Sequence, residues 1–197
     1  MNITQRPSVR HIRSAVVAAG VGLAGLLATG GVAHASTPAV HDTPSGYVVT
    51  DSCTGFAGSV SYSPGLRTTV LRSTHAVLTG TTSGCSDIFN GAESGTGTIT
   101  AVLTGKASVG SENFSGTFTI NWPASSGFNP SEGTLSVTES SGLETISGEV
   151  TSGFDTGTVL GGQYVVTGKT GKGTKQHPVT KQSYTNTQAL TLSRNEG

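Results

Sequence analysis

Apolar residues in the body of this chain recur at every second position, and that period restricts the fold more than any other feature. Phe56, Gly58, Val60 and Tyr62 fall on one face, with Ala57, Ser59 and Ser61 on the other. Phe114, Gly116, Phe118, Ile120 and Trp122 alternate in the same way with Ser115, Thr117, Thr119 and Asn121. Successive side chains of an extended strand point to opposite faces, so this alternation marks half-buried strands of an antiparallel sheet. Past the N-terminal region, no stretch carries the spacing of an amphipathic helix.

Turn chemistry punctuates the pattern. Gly97-Thr98-Ile99-Thr100, Gly116-Thr117-Phe118-Thr119, Gly133-Thr134-Leu135-Ser136 and Gly157-Thr158-Val159-Leu160 read as strand starts. The segments "VLTGT" (77–81), "VLTGK" (102–106) and "VVTGK" (165–169) read as strand stops, with glycine supplying the positive φ of a tight turn. The result is about eight to ten short strands, near 46–52, 55–62, 67–72, 75–82, 96–105, 113–122, 133–139, 143–151, 157–168 and 184–192. They predict an all-β domain, an antiparallel sandwich or a closed barrel, either of which shelters sheet edges. Periodicity does not choose between the two. Residues 36–45, with two prolines, read as a mobile lead-in to a single domain over 46–197. Residues 169–183 are nearly devoid of apolar side chains and read as an exposed basic loop.

Residues 1–35 have the order of a secretory signal peptide. Arg6, Arg10 and Arg13 precede a small-residue apolar run from Ala15 to Ala28, and Ala33-His34-Ala35 offers a cleavage site between Ala35 and Ser36. The run is short for a membrane span of about 20 residues. Removing 35 of the 197 residues leaves one domain's worth of chain. The expected product is secreted, with no membrane span and no lipid anchor. Cys53 and Cys85, an even count in an oxidising compartment, predict one disulfide.

The neutral total charge hides an acidic body and a basic tail. From Ser36 to Leu160 there are three bases (Arg67, Arg72 and Lys106) against ten acids; after Gly161 stand Lys169, Lys172, Lys175, Lys181 and Arg194 against Glu196. An acidic body argues against nucleic acid, which is held by clustered cations. The spaced lysines of the tail read as solubility rather than a binding site.

Few motifs in the chain could carry chemistry. Asp155-Thr156-Gly157 after Phe154 has the local form of an aspartic-protease carboxylate. Such enzymes need two carboxyls sharing a proton, and a single Asp-Thr-Gly between two strands reads as a turn. No Gly-x-Ser-x-Gly occurs, and the Gly162 to Gly168-Lys169-Thr170 spacing is one residue too long for a phosphate loop. A hairpin at 140–142 would set Glu139 opposite Glu144, with Glu149 further along, as paired acids of a glycosidase stand; the simpler reading is a wet, solvated strand face. Asp87, Asn90 and Glu93 offer oxygens in a turn but at no EF-hand spacing, and His75 reads as a packed or surface residue. The sequence therefore predicts no catalytic residue, no cofactor and no metal ligand.

The signal end Ala33-His34-Ala35, "CTGFAGSVSYSPGL" (53–66), "AVLTGTTSGCS" (76–86) and "SGTFTINW" (115–122) together resemble a set of exported Ser/Thr/Gly-rich all-β proteins of actinobacteria. That resemblance implies export and a β fold and brings no mechanism. The expectation is a secreted, non-catalytic β domain that acts by surface binding in the cell envelope or medium, on an envelope polymer or an extracellular protein. The alternatives are an inhibitor or binder of an extracellular enzyme through a loop such as 86–95, and an enzyme of unrecognised type. A barrel with a lined interior points to a small ligand; a filled sandwich points to surface recognition.

Overall fold

The computed structural model describes residues 47–87, 93–140 and 142–195. The signal segment, its Ala35–Ser36 cleavage site, the 36–45 lead-in and residues 88–92 of the 86–95 loop, Asn90 included, lie outside the described residues. Ten strands are present among the described residues: β1 (Tyr47–Leu66), β2 (Arg72–Asp87), β3 (Glu93–Gly95), β4 (Thr98–Ser108), β5 (Ser111–Asn121), β6 (Ser131–Ser140), β7 (Leu143–Ser152), β8 (Val159–Thr170), β9 (Val179–Asn186) and β10 (Leu190–Asn195). Eight of them close an antiparallel barrel in the circuit β1-β2-β4-β5-β6-β7-β8-β9-β1. β10 continues the line of β9: β1 pairs with β9 through Ala57–Leu66 and with β10 through Tyr47–Cys53. β8 likewise pairs with both, so β9 and β10 make one interrupted stave.

The alternating residues turn as their period requires. Phe56, Val60 and Tyr62 of β1 and Phe114, Phe118 and Ile120 of β5 are buried in the interior, with Leu78, Ile99, Leu103, Leu135, Ile146, Leu160, Tyr164 and Tyr184 from the other staves. Burying each such side chain contributes about 1.5–3 kcal/mol. The outward face is largely Thr and Ser, among them Thr100, Thr104, Thr117, Thr134, Ser136 and Ser147. That face is opposite in character to the apolar band of a lipid-facing barrel. No helix among the described residues is long and apolar enough to cross a membrane.

Cys53 and Cys85 stand directly opposite each other in the β1–β2 ladder and form the expected disulfide. It is compatible with an extracellular protein.

Several glycines do a different job from the one their sequence context suggests. Gly80, Gly105 and Gly168 do not stop strands, and Gly116 and Gly133 do not start them; all five lie inside β2, β4, β8, β5 and β6. The positive-φ turns fall instead at Gly110, Gly142 and Gly157. In a narrow barrel, an inward position without a side chain makes room for a large neighbour. A Cβ on either Gly58 or Gly80 would stand 2.8 Å from the Tyr184 hydroxyl, so this cross-strand pair makes the slot that the Tyr184 ring fills. Strand limits shift accordingly. The segments expected at 46–52 and 55–62 run together in one strand from Tyr47, 67–71 is a connection, and the basic loop shrinks to 171–178 because Thr170 still pairs in β8 and Val179 opens β9.

Candidate functional site

The barrel has two unlike ends. At one, here called the Gly110 end, lie the β1–β2 connection, the β4–β5 turn at Gly110, the β6–β7 turn at Gly142 and the 171–178 loop. These are stitched together by Thr68 N–H to Gly173 O (2.9 Å) and Val109 N–H to Arg67 O (3.1 Å). At the other, the Trp122 end, Trp122 packs edge-on against Phe154, which stacks on Phe128 with ring centroids 3.9 Å apart. Trp122 Nε1 donates to Ser131 Oγ (2.9 Å), and Ser131 Oγ donates to the Phe154 carbonyl (2.7 Å).

Just inside the Gly110 end, the inward phase of three strands delivers carboxyl groups instead of apolar ones. Glu112 is the first inward residue of β5, two before Phe114; Glu144 of β7 is two before Ile146; Glu139 of β6 is two after Val137. Glu139 and Glu144 face each other across the β6–β7 ladder, as the hairpin reading expects. The solvated-face reading fails for Glu144, which is 1% exposed, and holds for Glu149, which is exposed. One oxygen from each of Glu112, Glu139 and Glu144 lies within 4.8 Å of the other two.

Tyrosines and an amide surround these acids. Tyr62 Oη lies 2.9 and 3.1 Å from the two Glu112 carboxyl oxygens and 2.7 Å from Gln182 Oε1. A phenol has one proton to give, so the Gln182 contact and one of the two Glu112 contacts are satisfied together when Glu112 is protonated and donates to Tyr62, which donates to Gln182. Burial, then the charge of Glu144, push Glu112 up to about 9, while the Tyr62 hydroxyl beside it acts the other way. Burial, then the charge of Glu139, push Glu144 up to about 7, while the Tyr164 hydroxyl beside it acts the other way. Burial also raises Glu139, offset by the Gly110 backbone N–H and by Lys169. Glu139 Oε2, Glu144 Oε2 and Tyr164 Oη are buried and reach hydrogen-bond geometry with no protein atom.

Above the acids opens a cavity of about 500 Å³, lined by Val109, Gly110, Glu139, Gly142, Lys169 and Gln182 among others. Glu139 belongs to both the cavity and the cluster, so it links solvent to the buried pair. Such a site can hold a proton, accept hydrogen bonds and attract positive charge.

Asp155 is in a turn, as the sequence suggests: its φ is 60°, and its carbonyl accepts from Thr158 N–H (3.0 Å) and Thr158 Oγ1 (2.7 Å). Its side chain nonetheless meets a second carboxyl, Asp51 of β1, with Asp87 and Arg194 nearby. Burial and the charge of Asp51 push Asp155 up to about 7; burial raises Asp51, which accepts the hydrogen bond from Asp155. The two acids are placed to share a proton at the Trp122 end, while Asp51 Oδ1 and Asp155 Oδ2 are buried without a hydrogen-bond partner, and the second carboxyl comes from the same chain as Asp155. His75 is exposed on the outer face of β2.

No sequence motif marks Glu112 or Asp51. Both continue a legible inward phase, Glu112 with Phe114 and Phe118, Asp51 with Cys53, and extending that phase to the strand ends would have found them. No protein-family model, no curated protein and no solved structure matches this chain.

Proposed function

We propose that this chain is an exported, non-catalytic binding protein that takes a small, positively charged ligand at the Gly110 end of its barrel. The observation that carries the reading is the cavity of about 500 Å³ whose floor residue, Glu139, belongs to a cluster of three convergent carboxyls. A concave site with a few convergent polar groups in the mouth of a barrel is the usual form of a small-ligand site. Binding rather than turnover is favoured because Glu112 and Glu144 are 4% and 1% exposed, too enclosed for a polymer or peptide to reach. The Cys53–Cys85 disulfide and the N-terminal signal pattern support export.

The test is a titration of the 15N-labelled protein with small cations, organic and inorganic, each against a size-matched anion. The expected result is saturable shifts of the Gly110, Gly142 and Gly168 amides with cations and none with anions. Shifts centred elsewhere, or no saturable binding by any cation, refute the reading. Turnover of a peptide, ester or glycan substrate that vanishes in Glu144→Gln would replace it with a catalytic one.

A further inference from the structure

The oxygens of the Gly110 end are arranged for something more definite than a general positive charge. Glu112, Glu139 and Glu144 come from three strands and bring one oxygen each to within 4.8 Å of the others. No pair is further apart than two oxygen–calcium bonds of about 2.4 Å can span, and calcium accepts the irregular geometry that three separate strands impose where magnesium demands a near-ideal octahedron. Every donor in reach is oxygen, from carboxyls, the Tyr164 phenol and the Gln182 amide, with no thiolate or imidazole among the described neighbours. Such a set selects hard cations over zinc or copper.

A cluster of acids alone would say little, because carboxyls gather at many protein surfaces. Here a second observation points into the cluster. Tyr164 is 1% exposed, packed against Phe56 (6.0 Å) and Tyr184 (4.5 Å) by its ring, and its hydroxyl is directed at Glu144 without a hydrogen-bond partner. Glu144 Oε2 beside it is also unpartnered. A buried phenol and a buried carboxylate oxygen short of hydrogen-bond geometry cost stability, and an ion that took both as ligands would relieve them together.

We infer that Glu112, Glu139 and Glu144, with the Tyr164 hydroxyl at their side, form a site for a calcium-sized divalent cation, the Glu112 proton passing to solvent as the ion binds. The inference rests on the reading of this end as the ligand site and names its occupant. Glu139 opens onto the cavity, so water can complete the six to eight oxygens that calcium takes. Lys169 lines the same cavity, and its charge lowers Glu139. The ligands lie on strands rather than in a calcium loop, which is why no sequence spacing announces them.

The experiment uses the purified protein stripped with a chelator and titrated with CaCl2 by calorimetry, and with Tb3+ read by luminescence sensitised through Tyr62 and Tyr164. One equivalent of either ion should bind, with MgCl2 weaker. Glu144→Gln should weaken Ca2+ by about 10–100-fold. Tyr164→Phe should dim the terbium signal while leaving the fold intact by near-UV circular dichroism. Glu149→Gln, the same charge change on the exposed face of β7, should bind as the wild type does. Equal Ca2+ affinity in wild type and Glu144→Gln overturns the inference, and so does an equal loss in Glu149→Gln. If Ca2+ and Tb3+ fail while an organic amine shifts the Gly110 and Gly142 amides, the metal inference falls and the ligand site stands. If nothing binds there, both fall.

Discussion

The carboxyl pair at the Trp122 end gives a quantitative test. Replacing Asp155 by Asn keeps a residue that tolerates the φ of 60° found there, and it keeps the carbonyl that accepts from Thr158. It substitutes a permanently neutral side chain for an acid whose folded pKa is pushed from 3.8 to about 7. A raised acid pKa means that the folded protein binds the proton more tightly than the unfolded chain. Between pH 4 and pH 7 the wild type therefore loses stability as pH rises, and above pH 7 the loss is complete. In a fully dry site a rise of this size would correspond to about 4 kcal/mol. Asp155 is only half-buried, and solvent screening reduces this to about 1–2 kcal/mol. Asp155→Asn should thus match the wild type near pH 4 and exceed it by about 1–2 kcal/mol at pH 8. Urea unfolding at pH 4, 6 and 8 measures this, followed by the fluorescence of Trp122, the one tryptophan, whose ring packs on Phe154 beside the substituted residue. Glu112 and Glu144 contribute to the absolute pH dependence of both proteins and cancel in the difference. A difference that stays constant from pH 4 to pH 8, or a variant less stable than the wild type at pH 8, would refute the shared proton.

Three other perturbations probe separate parts of the barrel. Replacing Cys53 and Cys85 together by Ser opens a loop of 32 residues and should cost about 3–4 kcal/mol in urea unfolding, and the unreduced wild type should show no free thiol to a chromogenic reagent. Gly133→Ala places a Cβ against the Glu149 carbonyl of the neighbouring strand, where nothing flexible can yield; the expected loss is about 1–3 kcal/mol, read from the urea midpoint. Tyr62→Phe removes the hydroxyl between Glu112 and Gln182, leaving buried polar groups unpaired, and should destabilise by about 1–3 kcal/mol in the same assay.

The inner surface of the barrel was legible where a strand alternates over four or more positions. Phe56 to Tyr62 and Phe114 to Trp122 face inward as read, because the two-residue period of a strand leaves no other choice once one face is apolar. The Cys53–Cys85 bond and the Glu139–Glu144 juxtaposition were legible too, since each depends on neighbouring strands of one hairpin or ladder. The misread glycines have a common cause. A glycine followed by a β-branched residue has the same local signature at a turn and in mid-strand, and only the tertiary packing, as of Tyr184 against Gly58 and Gly80, separates the cases. Barrel closure was legible only as one of two options, beside the sandwich. It depends on β9 and β10 returning to β1, and no local pattern records that contact. The meeting of Asp51 with Asp155 follows from the same closure, as does the position of Gln182 beside Tyr62.

The two ends pose the same electrostatic problem. At the Trp122 end, Asp51 and Asp155 press on each other beside Arg194 and a stack of aromatic rings, and each keeps one buried oxygen, Asp51 Oδ1 and Asp155 Oδ2, without a hydrogen-bond partner. At the Gly110 end, Tyr62 and Gln182 satisfy Glu112, but Glu139 Oε2, Glu144 Oε2 and Tyr164 Oη are left over. Apolar side chains of similar volume would hold a barrel wall at least as well as a cluster of buried acids. A buried oxygen without a partner costs stability, and a group from outside the chain, water or ligand, would offset that cost. What separates the ends is the cavity over Glu139, which gives solvent a way to the unsatisfied oxygens of the Gly110 end and is where the ligand proposed above would enter.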